Sequence, residues 1–331
     1  CSQPGNILIM LYTNVTTIKN FVITGFPGLM PKYYGPVSAA LFLLYLAIAA
    51  GNIFVLVFVR YERSLHKPSY VIFCHLALSD IMFGTVTLPK IISLYWFNDR
   101  IISFYSCFAQ MYFVHFLGST HSFILMVMAL DRFIAICSPL RYNALFTNTT
   151  VSALCGISWF MPISWMFGVV FDAMSLPFCN SNIIVHCYCD HLSIINLGCE
   201  NVRSSTVLGL GLAMFCLLLP LGFIVLSYFI IIASVLKTSS SKGRIRAWST
   251  CTPQLIITCL YYLPRLFVYL ANFVGYTFSA SVRIVVVMLY SLLPAVVNPL
   301  IYCFKTKDIK DSLKMKFTIM LILIKISGGF F

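Results

Sequence analysis

Apolar residues in this chain come in long uninterrupted blocks rather than in alternation with polar ones. Residues 37–59, 151–171, 207–236 and 284–304 contain no charged side chain. Each block is long enough for a membrane-spanning helix, which needs about 20 residues. Three further blocks tolerate a few polar groups: 71–89 with His75 and Asp80, 104–130 with His115 and His121, and 255–270 with Arg265. The pattern predicts seven spanning helices in an all-α membrane bundle. An odd number of spans leaves the two termini on opposite sides of the bilayer. The expected organisation is an outer tail (1–34), a seven-span body (35–304) and an inner segment (305–331).

In that inner segment the period changes. Phe304, Ile309, Leu313 and Phe317 recur at near-helical spacing, with Lys305, Lys307, Lys310, Lys314 and Lys316 between them. This is the pattern of a basic amphipathic helix lying on the inner membrane face. The following FTIMLILI is too short to span and is expected to be a disordered tail.

Composition agrees with a membrane protein. Of 331 residues 60% are hydrophobic and 9% charged, with a mean hydropathy of +0.94; soluble domains carry about 25% charged residues. The net charge of +13 does not point to nucleic acid, because the aromatic residues lie within apolar spans rather than among clustered Lys and Arg. Its distribution instead sets the orientation. With the N-terminus outside, the inner set is Arg60, Arg63, Lys67, Arg132, Arg141, Lys237, Lys242, Arg244, Arg246 and the six lysines from Lys305 to Lys325, fifteen in all. The outer set is Lys19, Lys32, Arg100, Arg203 and Arg283. Fifteen against five places the N-terminus outside; the plasma membrane is the expected location. Asn14-Val15-Thr16 is then a glycosylation acceptor in the outer tail, while Asn148-Thr149-Thr150 lies inside, where it cannot be used. The chain opens on Cys1 without a cleavable signal peptide, so its true start is expected upstream.

Several residues carry candidate chemistry. Asp131 and Arg132 sit together at the inner end of span 3; the carboxylate can hold the guanidinium at rest and release it when the bundle opens, or the arginine is a plain inner-edge anchor. Asp80 is a lone carboxylate deep in span 2, costly there without partners; Asn52, Ser291 and Asn298 can supply them. Pro220, Pro264 and Pro299 favour kinks in spans 5, 6 and 7. On the oxidising outer side lie Cys107, Cys179, Cys187, Cys189 and Cys199, which with His186 and His191 read either as a disulfide framework or as zinc ligands. Arg265 lies about 13 Å inside span 6 at the helical rise. It either pairs with Asp190 or Glu200 from the outer loop as a structural lid, or points into a cavity and anchors an anionic group. No repeat of the kind that marks many transporters is evident, and His75, His115 and His121 lack the spacing of a zinc hydrolase. No catalytic constellation is expected.

Five stretches, in order, give the chain its family resemblance: LHKPSY (65–70), MALDRFIAICSPLRY (128–142), SY (Ser227-Tyr228), RAWSTC (246–251) and LLPAVVNPLIY (292–302). Together they resemble the odorant receptors of the rhodopsin-like G-protein-coupled receptor family, and GFPGL (25–29) is similar to their fish-type, or class I, branch. Phe133 stands where Tyr is usual, Gln254 where His is frequent, and YYLP (261–264) lacks the Trp of other rhodopsin-like receptors. The resemblance implies a receptor that binds a small-molecule odorant and activates a stimulatory G protein, raising cyclic AMP. The alternatives are a non-olfactory chemoreceptor for a small polar or anionic metabolite and, further off, a transporter. It implies that Asp131, Arg132, Tyr228 and Tyr302 form the G-protein switch. It also implies a polar network of Asn52, Asp80 and Asn298, with Pro299 and Tyr302, in which a sodium ion could sit; no other cofactor is expected. The implied disulfides are Cys107–Cys189 and Cys179–Cys199, leaving Cys187 over. The implied ligand set is Met111, His115, Gly118, Ser119, Leu212, Cys216, Tyr262, Arg265, Tyr269, Met288 and Ser291, with His115 equally readable as a core histidine. Ligands expected for such a site are water-soluble acids or amino acids. Lys90, in the LPK pattern of span 2, is read as a snorkelling anchor.

Overall fold

Every predicted span is helical, and the helices outrun the apolar blocks because polar residues at their ends do not interrupt backbone bonds made within the helix. A computed structural model describes residues 18–179, 181–199, 202–237, 240–274, 276, 278–305, 309–312, 314–315 and 318, without the side chains of Arg246, Tyr269, Asn272, Phe273, Phe304 and Lys305. In chain order the elements are β1 (Asn20–Ile23), α1 (Tyr34–Tyr61), α2 (Pro68–Trp96), β2 (Ile101–Ser103), α3 (Phe104–Cys137), α4 (Pro139–Leu145), α5 (Asn148–Met174), β3 (Ile183–Ile184), α6 (His191–Ile195), α7 (Val202–Lys237), α8 (Ser241–Phe273) and α9 (Ala280–Lys305). Ser103 caps α3 by accepting the Ser106 N–H at 3.2 Å, and Thr147 caps α5 through Thr150 in the same way. Pro68 and Pro139 open α2 and α4, where a missing N–H costs nothing.

Among the described residues, six helices are long and apolar enough to cross a membrane: α1, α2, α3, α5, α7 and α9. The remaining long helix, α8, starts at Ser241, well ahead of the block that begins at residue 255. The charges of Lys242, Arg244 and Arg246 end an apolar block but do not unwind a helix, whose backbone bonds are satisfied within itself. Interior prolines include Pro220, Pro264 and Pro299 as expected, and also Pro89, Pro162, Pro253 and Pro294.

The central helix is α3, which packs against α2, α5, α7 and α8. Its buried side chains divide the interior into an outer cluster, around Cys107, Met111 and Leu117, and an inner cluster around Ile124, Leu125 and Met128. The outer end is closed by a small sheet of order β2-β1-β3, with β1 antiparallel to β2 and parallel to β3. Residues 20–23, expected in a tail, thus form its middle strand. Phe21 and Ile23 are fully buried, and Gly25 turns the chain at φ +73° directly over Tyr95. At the inner end Ile309 and Ser312 are buried, and the Ser312 Oγ lies 3.3 Å from Ser64 Oγ. That places the start of the expected amphipathic helix beneath the first inner loop. Leu313, Phe317, Lys307, Lys316, the tail beyond Thr318 and Asn14 lie outside the described residues.

Candidate functional site

Two disulfides fix the outer surface before any ligand is considered. Cys107, at the top of α3, is bonded to Cys189 with Cα atoms 5.4 Å apart, and Cys179 to Cys199 at 5.6 Å. The first pulls the loop between α5 and α7 onto the bundle. Gln110 secures it there, accepting the Cys189 N–H at 3.0 Å while donating to the Val86 carbonyl at 2.9 Å. With Cys189 consumed in a disulfide and the buried Cys187 thiol pushed up to about 12 by burial, the zinc reading of this cluster loses its thiolates. Lys90 bonds Asp99 and the Ile101 carbonyl, both at 2.6 Å, at the edge of the same surface.

Beneath the loop is a cavity of about 200 Å³. Seven of the eleven expected ligand residues line it: His115, Gly118 and Ser119 from α3, Leu212 and Cys216 from α7, Arg265 from α8 and Ser291 from α9. Three others do not face it. Met111 and Met288 are buried in the outer core. Tyr262 turns toward α3, its hydroxyl 2.6 Å from Ser122 Oγ, and Tyr261 takes the wall in its place. The Tyr269 side chain lies outside the described residues. The roof comes from His186, Tyr188, Asp190 and His191, which the resemblance did not supply. The Cys107–Cys189 pairing was the available signal, since it brings the neighbours of Cys189 over α3.

Roof and wall differ in charge. Burial tends to raise the Asp190 carboxyl, but His186, His115 and His191 around it outweigh that and hold it below the usual carboxylate range. Its Oδ2 caps α6, accepting the Ser193 N–H and hydroxyl at 3.4 Å each. Burial lowers His186 and takes His191 down to about 4. Across the cavity the Arg265 Nη1 donates to the Tyr261 carbonyl at 2.8 Å and the Tyr290 carbonyl at 3.2 Å. Its guanidinium lies 3.8 Å from the Tyr261 ring centre and 4.6 Å from that of Tyr290. Among the described residues no carboxylate pairs with it; Glu200 lies outside them.

Tyr261 has a second neighbour. Its ring is also stacked on His121 at 4.7 Å, and the His121 Nδ1 lies 3.4 Å from Asp80 Oδ1. Asn298 donates to Asp80 Oδ2 at 2.8 Å. Both oxygens of Asp80 therefore face nitrogen groups, whereas a hard cation takes oxygen ligands. Nothing in these contacts supports the sodium ion that the resemblance implies. Asn52 donates to the Ile48 and Ala295 carbonyls rather than to Asp80, and Ser291 lines the outer cavity instead. The Tyr302 ring stacks on Phe73 at 4.2 Å.

At the inner end Asp131 is fully buried and holds the Arg132 Nη2 at 2.7 Å. Ser69 and Tyr142 donate to the same carboxylate at 3.0 and 2.7 Å. Tyr228 is buried nearby in the inner core.

A long-helix bundle with a disulfide-pinned loop over an outer cavity, and a carboxylate-held arginine at the inner end of its central helix, defines a rhodopsin-like receptor rather than an enzyme. The fold agrees: the crystal structure of squid rhodopsin superposes with a TM-score of 0.67 at 18% identity, covering 88% of this chain and 87% of that one, which supports a seven-helix bundle. The sequence model of the olfactory receptor family matches residues 41–319. Human olfactory receptor 52N5 is 38% identical over 93% of this chain and 95% of its own length. Human olfactory receptor 51E2 is 36% identical over 92% and 94%. The chain belongs to the olfactory receptor family and is a multi-pass membrane protein.

Proposed function

We propose that this receptor detects small, water-soluble anionic molecules through Arg265 and signals by activating a stimulatory G protein, raising cyclic AMP, at a plasma membrane with its N-terminus outside. One observation carries the ligand class. Arg265 reaches the cavity wall with one nitrogen committed to backbone carbonyls and no carboxylate partner among the described residues. Charge inside a span is rare and usually functional, and a guanidinium binds a carboxylate through two parallel bonds. His115, Ser119 and Ser291 add polar points among apolar residues such as Phe83, Val114, Leu212 and Val287, the mix that small-molecule sites usually show.

The route to the inner face runs through Tyr261, held between Arg265 and His121. A bound carboxylate draws the guanidinium toward the cavity and off the Tyr261 carbonyl beside the Pro264 kink. The stacked ring then shifts against His121 and, through it, against Asp80 and Asn298. Opening of the inner end frees Arg132 from Asp131 to receive the G protein. The stimulatory partner and cyclic AMP rest on the family resemblance. The test is a panel of straight-chain carboxylic acids against the matching alcohols, read as cyclic AMP in cells. Acids should act at lower concentration, and Arg265→Gln should weaken them by the roughly 1.5–3 kcal/mol of a charge-assisted hydrogen bond. Full acid sensitivity in the variant would make Arg265 structural.

A further inference from the structure

We infer that the cavity is built for a zwitterion, a small molecule that brings an ammonium group to Asp190 as well as a carboxylate to Arg265. The inference rests on the anion-binding role proposed for Arg265 and adds a second recognition point to the same site. Three charged residues line one cavity of about 200 Å³: Arg265 from α8, Arg283 from the start of α9, and Asp190 from the loop directly after Cys189. Opposite charges sharing so small a space ordinarily pair with each other. Among the described residues no ion pair joins Asp190 to either arginine.

Arg265 rests on two carbonyls and two tyrosine rings, but neither it nor Asp190 meets a counter-ion. The bonds that Asp190 accepts from Ser193 are long and fall on Oδ2. At neutral pH the roof histidines His186 and His191 supply no positive charge to it, because burial keeps their rings uncharged. A partly desolvated carboxylate and guanidinium, each without a counter-ion, is a costly arrangement. A ligand carrying the complementary pair removes both costs at once, which a simple acid cannot do. His191, only 5% exposed, has its Nε2 without a partner among the described residues, as does His115. Both rings line the cavity and can hold the polar groups of such a ligand. At roughly 30 Å³ for each water-sized group, the space accommodates about seven of them, the size of a short amino acid.

The experiment measures the thermal stabilisation of the purified full-length receptor, so that it does not depend on the signalling partner. The probes are glycine, β-alanine, γ-aminobutyrate and ε-aminocaproate, each against the carboxylic acid and the amine of the same chain length. At least one zwitterion should bind roughly 10- to 100-fold more tightly than its matched acid and amine. Asp190→Asn, which retains the N-cap of α6, should erase that advantage and leave the acids binding as before. Acids that bind as tightly as every amino acid in the parent protein overturn the zwitterion and leave the Arg265 reading standing. An advantage that survives Asp190→Asn does the same. If acids and amino acids alike fail to bind, or Arg265→Gln leaves acid binding intact, the anion site itself is lost and the inference falls with it. The comparison of matched probes on the parent protein decides the matter even where a variant does not fold.

Discussion

Gly209 shows how finely single residues set this cavity. A Cβ there would overlap the His191 ring, which packs directly on the α7 backbone. Gly209→Ala must push His191 aside, and we expect at least a tenfold loss of acid response in a cyclic AMP dose–response at matched surface level, about 1.4 kcal/mol. The roof also makes the fold acid-sensitive. His186 and His191 resist protonation when folded, from an ordinary value of 6.5 to about 4 for His191. The unfolded chain therefore binds protons that the folded one refuses, and stability present above pH ~6.5 is lost as pH falls toward the folded value. Asp190, held low, adds to the loss at still lower pH. The melting temperature of the purified receptor should drop between about pH 7.5 and pH 5, and His191→Gln should flatten the drop; an unchanged slope would rule out His191 as its source. Arg265 and Asp131-Arg132 were legible as candidates because charge is rare in an apolar block. Which way Met111, Tyr262 and Met288 face was not, since the rotation of each helix about its axis is set by packing against its neighbours, which no local pattern records.

Among the elements, the seven spans were legible and the outer surface was not. Length and absence of charge identify a spanning helix. The strands β1, β2 and β3 are two to four residues long, too short for alternation to register. Their pairing closes over 160 residues of sequence, as in the bond from Thr24 N–H to the Ile184 carbonyl. Two devices hold this surface, and each can be tested. Phe21 is fully buried against Phe104, Phe108 and Phe178. Phe21→Ala should cost about 3–5 kcal/mol of stability, seen as a lower melting temperature and reduced surface expression. Loss of the Cys107–Cys189 bond should cost about 2–5 kcal/mol and also release the roof residues Tyr188, Asp190 and His191. Cys107→Ser and Cys189→Ser should each hold the protein in the endoplasmic reticulum, as glycan-maturation analysis would report. Peptide mapping that found Cys107 as a free thiol in the unreduced parent would contradict the pairing.

For the whole molecule, the proposed function is a connection between the two ends of the bundle. The outer end offers Arg265 under a pinned roof. Arg265, Tyr261, His121, Asp80 and Asn298 touch one another in sequence through the interior. The inner end keeps Arg132 on a carboxylate that Ser69 and Tyr142 also hold. Family membership places the chain among receptors, and the coupling between its ends is the claim that matters most. The direct measurement is nucleotide exchange on a purified stimulatory G protein, driven by the purified receptor with straight-chain carboxylic acids and with their matching alcohols. Exchange should rise with the acids, rise less with the alcohols, and vanish in Arg132→Ala at equal receptor concentration. Exchange that ignores the acids, or that persists in Arg132→Ala, would contradict coupling from Arg265 to Arg132.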